Sequence, residues 1–415
     1  MALQGEIRVP SDKSITHRAI MLSSIAKGQS RIVNPLRSMD TDTTLSIMQS
    51  LGVTTTWDGD DLFIEGSTLE PPSSILDCGN AGTTVRLLMG LLSGRTFSTI
   101  LTGDASLKKR PMRRVADPLR KLGANIILSH EDYLPGKVLP SKLHGGKLEL
   151  SIASAQVKSA VLLAALNQKE KVTVKEFGTS RDHTERMIYY LDGQIKKDGP
   201  FITISGEKPL VGKEIVVPGD LSSAAFFIIA ALIVPDSDIT IRDVGLNPTR
   251  TGMLDVLKQT GAELFISNVR ELNGEPIGDI SVKYTKTLKP FIIHEALVPR
   301  VIDEIPILSL LGTQIEGISK IYGACELRVK ETDRLKATAI ELNKLGADVK
   351  ELADGLEING KSRLKEASVS SYGDHRMSMM LQIAELLTGP LEIQNRSADK
   401  ISYPQFSSDL KQLLR

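Results

Sequence analysis

The apolar positions of this chain change their period at regular intervals. A strand-like stretch, Ile7-Arg8-Val9, runs into the polar turn Pro10-Ser11-Asp12-Lys13-Ser14. A helical pattern follows, with apolar Ala19, Ile20, Leu22, Ile25 and Ala26. Ser11 or Asp12 suits the N-cap, because a short side-chain oxygen there can accept from an unpaired N–H of the first turn. The same order of strand, small polar turn, apolar helix and second strand returns over residues 7–34, 76–103, 148–176, 215–243, 298–323 and 368–395. The starts are spaced by roughly 70–80 residues, which points to a repeat architecture. Between copies a second helix ends in glycine, at 45–52, 115–123, 253–261 and 335–346, and a further strand pair follows. The pattern predicts an α/β (α+β) protein of six βαβαββ-like units.

With 415 residues the chain exceeds one ordinary core, so two domains are expected. A net charge of +1, with acids and bases interspersed, argues against nucleic acid or a membrane as partner. A single Trp gives no base-stacking surface. The longest apolar run, 224–235, is too short to span a bilayer and reads as a buried helix. No signal peptide is expected at the N-terminus, and two cysteines, Cys78 and Cys325, fit a reducing compartment.

The chemistry gathers at the predicted helix starts. Lys13, Ser14 and Arg18 occupy the first turns of the first helix, where backbone N–H groups and the helix dipole favour anions. Asp40 and Asp42, before a helix expected at 43–51, read as N-cap groups. Gly79-Asn80-Ala81-Gly82-Thr83-Thr84-Val85-Arg86 leaves room for a ligand at Gly82 but lacks the lysine of a Walker loop. Cys78 before it reads as a buried strand thiol. Five cations crowd Lys108-Lys109-Arg110-Pro111-Met112-Arg113-Arg114, ahead of a helix at 115–122. Ser154-Ala155-Gln156 opens an apolar helix, and Arg181-Asp182-His183-Thr184-Glu185 opens another. His183 has no second ligand at metal spacing. Asp303 and Glu304 precede the run 305–311. Six charges fill Glu326-Leu327-Arg328-Val329-Lys330-Glu331-Thr332-Asp333-Arg334, where a salt-bridge ladder is the alternative to a site. Gly373-Asp374-His375-Arg376 marks the last start. Any one of these could be a solvated helix end. Their return in most copies favours a shared anion-binding cleft.

Taken together, Pro10-Ser11-Asp12-Lys13-Ser14, Gly79-Asn80-Ala81-Gly82-Thr83, Arg110-Pro111-Met112, Ser154-Ala155-Gln156, Arg328 to Leu335 and Gly373-Asp374-His375-Arg376-Met377 resemble the enolpyruvyl transferases. Within them they resemble the 5-enolpyruvylshikimate-3-phosphate synthases. The resemblance implies a two-domain inside-out α/β barrel with units arranged three and three. One lobe would be 12–218 and the other 1–11 with 219–415. The similar stretches Val9-Pro10-Ser11-Asp12 and Val217-Pro218-Gly219-Asp220 would be the hinges.

It also implies transfer of the enolpyruvyl group of phosphoenolpyruvate to the 5-hydroxyl of shikimate 3-phosphate, with release of phosphate, in chorismate and aromatic amino-acid biosynthesis. Lys13, Ser14, Arg18, Ser154, Gln156, Arg181, Asp303 and Lys330 would hold shikimate 3-phosphate. Lys13, Asn80, Gly82, Arg110, Gln156, Arg334 and Arg376 would hold phosphoenolpyruvate. Lys13, Asp303 and Glu331 would carry the proton transfers. No cofactor or metal is implied. The protein would be a cytoplasmic monomer, with glyphosate as an inhibitor competing with phosphoenolpyruvate beside Gly82.

Three positions depart from the commoner pattern. Ala155 stands where many relatives have a second Ser, with Arg181 as the substitute donor. Ile401 stands where many have Lys, with Lys400 displaced by one, and Leu87 stands where many have Pro. The sister family that acts on UDP-N-acetylglucosamine usually has a reactive cysteine in the loop corresponding to 104–114, and none is here. A non-catalytic binding protein on the same repeat would not need Lys13, Asp303 and Glu331 together.

Overall fold

The computed structural model describes residues 2–415. Contacts divide the chain into two compact units, Ser11–Val217 with Leu272–Glu275, and Met1–Pro10 with Pro218–Glu271 and Pro276–Arg415. Each contains an apolar core of its own.

In the first unit the helices Lys13–Ile25, Gly82–Leu92 and Ala155–Ala165 are buried on nearly every face. This is why their apolar residues show little sidedness: a helix enclosed by protein has no wet stripe to keep polar. The second and third touch backbone to backbone, since a Cβ added at Gly90 would lie 2.0 Å from the carbonyl oxygen of Ala160.

Around these helices stand three four-stranded sheets. One runs Glu214–Val216, Gln29–Val33, Asp61–Glu65, Thr54–Asp58, and another runs Leu76–Asp77, Thr99–Thr102, Tyr133–Leu139, Asn125–Ser129. The third runs Gly146–Glu149, Val172–Lys175, Phe201–Ser205, Gln194–Asp198. In each, the first two strands are parallel and the others antiparallel. Burial alternates along Tyr133–Leu139, as expected of a strand with one face on the core. Helices lie inside and sheets outside, the inside-out arrangement.

The second unit repeats the plan with the buried helices Leu221–Ile233, Ile305–Thr313 and His375–Thr388. Its sheets are Gln4–Ile7, Asp238–Gly245, Glu275–Lys283, Leu264–Leu272, then Ile292–Ile293, Gly317–Ile321, Leu356–Gly360, Asp348–Glu351, and the pair Ser368–Ser370 with Glu392–Gln394. Phe226, Phe227, Tyr403 and Phe406 form an aromatic cluster in its core. The apolar run at 224–235 lies mostly in the fully buried helix Leu221–Ile233. Among the described residues no helix is long and apolar enough to cross a membrane.

Two copies of the repeat are not closed locally. The opening strand, Gln4–Ile7, ends before Arg8 and pairs with Asp238–Gly245, while Gln29–Val33 takes Glu214–Val216 as its parallel neighbour. The first and fourth copies thus exchange opening strands, at the points where the chain leaves one unit for the other. Apolar alternation says which face of a strand is buried but not which strand lies beside it, so the exchange is invisible in sequence. The second helices Met39–Ser50, Arg113–Arg120, Gly252–Thr260 and Arg334–Lys344 stop at or near Gly52, Gly123, Gly261 and Gly346, all at positive φ. The one that follows the third copy, His183–Tyr190, uses Asp192 at φ +63° instead.

Candidate active site

In the first unit Asp12 proves to be the N-cap of Lys13–Ile25, its Oδ1 accepting from Ile15 N at 2.9 Å. Ser11 turns away and donates to Asn34 O. The Lys13 ammonium lies 2.9 Å from Asp40 Oδ2, with both side chains largely buried. Asp40 and Asp42 are therefore not caps. Their helix begins earlier, at Met39, and Ser38 caps it, with the Thr41 hydroxyl accepting from Ser38 N. The Asp40 carboxylate is left to neutralise Lys13.

Arg18 is buried, as its guanidinium donates to Thr184 Oγ1 (2.7 Å), Ser159 Oγ (2.9 Å) and the Ser14 carbonyl (2.9 Å). Thr184 belongs to the helix that follows Arg181, so Arg18 is tied to the Arg181 segment. Arg181 itself is half-buried.

Ser154 caps Ala155–Ala165, accepting from Val157 N at 3.5 Å. Gln156, in the first turn, accepts from Arg86 Nη1 at 2.8 Å and donates to Thr83 Oγ1 at 2.9 Å. Asn80 accepts from Arg110 Nη2 and donates to Asp104 Oδ2 at 2.7 Å. A Cβ on Gly82 would meet Arg86 Nη1 at 3.0 Å and Arg110 Nη1 at 3.1 Å. Two guanidiniums therefore border the vacant side of Gly82.

Within the basic run the structure discriminates sharply. Arg110 is buried, Lys108 and Lys109 are exposed, and Arg113 pairs with Glu131. Arg86 lies within the motif 79–86 but outside the site residues that the sequence implies. Its signal is an arginine inside an otherwise apolar helix, 7 % exposed. Lys158 is a second buried cation outside the expected site, held by Glu176 at 2.7 Å and Glu185 at 2.6 Å. Burial pushes the Glu185 carboxyl pKa up despite that ammonium. Lys158 also donates to Ser180 O at 3.3 Å, fixing the residue before Arg181. His183 faces Glu275, with Nδ1 2.7 Å from Oε1. Cys78 lies just past the strand Leu76–Asp77, where burial pushes its thiol pKa up, so it is not a poised nucleophile.

The second unit gathers Asp303, Glu331, Arg334 and Arg376. Arg334 is 1 % exposed and meets three carboxylates, Asp374 at 2.8 Å, Glu331 at 2.7 Å and Asp303 at 3.4 Å. Burial works against its charge, but Asp374 and Glu331 outweigh it and hold its pKa above the ordinary arginine value. Arg376, in the first turn of His375–Thr388, donates to the Asp303 carbonyl at 3.2 Å, and its Nε lies 3.6 Å from Asp303 Oδ1. Asp303 sits in a short 3₁₀ turn at Ile302–Glu304 that leads into Ile305–Thr313. Lys330 is half-buried between the 3₁₀ turn Cys325–Val329 and the helix that starts at Arg334.

The charged run 326–334 is thus not a helical ladder. Arg328 reaches Asp333 and Glu351, and Arg334 reaches Asp374 and Asp303, so most pairs join separate segments. Lys400 is exposed on the 3₁₀ stretch Arg396–Ile401. Leu87 is fully buried within Gly82–Leu92.

The sequence pattern of the EPSP synthase (3-phosphoshikimate 1-carboxyvinyltransferase) family matches residues 1–410. A 3-phosphoshikimate 1-carboxyvinyltransferase of Geobacillus kaustophilus is 46 % identical over 424 aligned positions, covering 100 % of this chain and 98 % of the relative. That of Bacillus subtilis is 45 % identical, covering 99 % and 97 %. Among solved structures, EPSP synthase from Acinetobacter baumannii superposes with a TM-score of 0.88 at 39 % identity, covering 99 % of this chain and 96 % of that one. The enolpyruvyl transferase NikO of Streptomyces tendae superposes with a TM-score of 0.77 at 17 % identity, a likeness of fold alone. With matches of this coverage and identity, the chain belongs to the EPSP synthase (3-phosphoshikimate 1-carboxyvinyltransferase) family.

Proposed function

We propose that the chain transfers the enolpyruvyl group of phosphoenolpyruvate to the 5-hydroxyl of shikimate 3-phosphate and releases phosphate. The observation that carries this reading is the arrangement at Asp303, where one carboxylate lies against two buried guanidiniums, Arg334 and Arg376. A site for a doubly anionic substrate beside a hydroxyl to be deprotonated needs that combination of fixed cations and a carboxylate.

In this reading Asp303 takes the proton of the 5-hydroxyl as its oxygen adds to C2 of phosphoenolpyruvate. Glu331, with Lys13, delivers a proton to the methylene carbon, giving a tetrahedral intermediate. Removal of a methyl proton by the same groups and departure of phosphate restore the double bond. Arg334, Arg376, Arg110, Lys13 and Gln156 hold phosphoenolpyruvate, with Asn80 and Gly82 shaping its place. Ser14, Arg18, Ser154, Gln156, Arg181 and Lys330 hold shikimate 3-phosphate, with Lys13 and Asp303 beside it. Arg86 joins the set because its guanidinium borders both Gly82 and Gln156. Lobes of 12–218 and of 1–11 with 219–415 are part of the same reading. The protein acts as a cytoplasmic monomer, and glyphosate competes with phosphoenolpyruvate.

Phosphate release from phosphoenolpyruvate tests the reading, with shikimate 3-phosphate and then UDP-N-acetylglucosamine as acceptor. Turnover with the first alone is expected. Turnover with the second, or with neither, overturns it.

A further inference from the structure

Tyr372 adopts φ +54° and Gly373 φ +73°, and Asp374 N closes the turn onto Ser371 O at 2.9 Å. Two successive positive φ values inside such a closure are the pattern of a type I′ turn, a place normally filled by Asn-Gly. A bulky aromatic residue meets a steric cost there that Asn or Gly avoids. Such a residue persists only where its surroundings over-determine it, and positions of this kind cluster at functional sites.

The surroundings here are specific. Tyr372 is 43 % exposed, so core packing does not hold it. Its hydroxyl instead donates to Oε1 of Glu341 at 2.6 Å, a carboxylate fully closed to solvent. The other oxygen of Glu341 accepts from Ser370 N at 3.0 Å, and Tyr372 N donates to Ser370 Oγ at 3.1 Å. Glu341 stands seven residues after Arg334 on the helix Arg334–Lys344, about two turns along the same face. That helix therefore grips the segment twice, through Glu341 at Ser370 and Tyr372 and through Arg334 at Asp374. Asp374 in turn caps the next helix, its Oδ1 accepting from Arg376 N at 2.9 Å.

We infer that Tyr372 and Glu341 are a positioning pair for phosphoenolpyruvate: by holding the strained turn they set where Arg376 and Arg334 stand. The inference rests on the function proposed above. The Tyr372 hydroxyl is suited to the task, since burial and the neighbouring carboxylate push its pKa up to about 12 and keep it a donor. Neither residue touches substrate in this role. They act through the two arginines.

The test compares Tyr372→Phe, which keeps the ring and loses the hydroxyl, with Tyr372→Asn, which suits the turn and loses the anchor. Steady-state kinetics for each substrate are read beside hydrogen exchange of the amides at 371–376. Both variants are expected to raise the KM for phosphoenolpyruvate about tenfold, to leave that for shikimate 3-phosphate within about twofold, and to speed exchange in the turn. Glu341→Gln, which keeps an acceptor for the hydroxyl, should show a smaller rise than Glu341→Ala. If the parent is active and both Tyr372 variants keep the parent KM for phosphoenolpyruvate, the inference is overturned while the function stands. An equal loss in kcat, both KM values and melting temperature marks a purely structural turn and also overturns it. A parent with no turnover overturns the proposed function, and the inference with it.

Discussion

Arg334 and Asp374 meet through two hydrogen bonds, Nε to Oδ2 at 2.8 Å and Nη2 to Oδ1 at 3.2 Å, with side chains 1 % and 0 % exposed. The same carboxylate caps the helix that carries Arg376. Without Asp374, Arg334 keeps Glu331 and Asp303 as counterions but loses two buried charge-assisted hydrogen bonds, and the next helix loses its cap, which together cost about 2–4 kcal/mol. Asp374→Ala should therefore destabilise the chain by at least that order in urea unfolding, with turnover lost. A change below about 1 kcal/mol would mean that water reaches the pair and that Asp374 does not organise the site.

Arg110→Ala is expected to abolish most turnover. It should also cost stability, because Arg110 is 5 % exposed and bonded to Asn80 and Ser106. Breaking such bonds costs about 1–3 kcal/mol, or a fall in melting temperature of several degrees for a unit of this size. Unchanged turnover beside a lowered melting temperature would make Arg110 a structural residue only.

Gly82→Ala places a methyl 3.0–3.1 Å from the ends of Arg86 and Arg110. Both contacts are tips of flexible side chains, so the fold should survive. The two guanidiniums must give way, and overpacking of this kind costs about 1–3 kcal/mol. The inhibition constant of glyphosate, the longer molecule, should rise by roughly 5- to 150-fold, and the KM for phosphoenolpyruvate by much less. Equal rises for both, or a parent indifferent to glyphosate, would remove Gly82 as the discriminating position.

His17 is fully buried, with Nδ1 2.7 Å from Thr44 Oγ1, and Thr44 in turn is 2.7 Å from Thr84 Oγ1. Burial pushes its pKa down to about 3 from 6.5. Below about pH 6.5 the unfolded chain binds a proton that the folded one refuses, so the stability from this group is complete above that pH and is lost as pH falls towards 3. The slope for one group is about 1.4 kcal/mol per pH unit. In urea unfolding followed from neutral pH downwards, His17→Asn should lose less stability than the parent. Parallel pH profiles for the two proteins would show that His17 does not contribute.

Local chemistry made much of this protein legible beforehand. The six apolar helices are readable because each is buried all round, and their starts because a polar turn must satisfy the first N–H groups, as at Asp12, Ser154, Asp220 and Asp374. The glycine stops follow from the positive φ that only Gly takes without strain, as at Gly261. These are short-range effects, carried by residues a few positions apart.

Tertiary structure decided what depends on distant neighbours. It exchanged the opening strands of two copies, since pairing partners lie some two hundred residues apart, as Gln4 and Asp238 do. It sorted five adjacent cations into one buried arginine and several solvated or paired ones, because burial belongs to the surroundings and not to the residue. It turned Asp40 from an expected helix cap into the partner of Lys13, and brought Arg86 to Gln156 and Arg110 to Gly82. A charge is stabilised by whatever the fold places within a few ångströms of it, and the order of residues along the chain does not contain that distance.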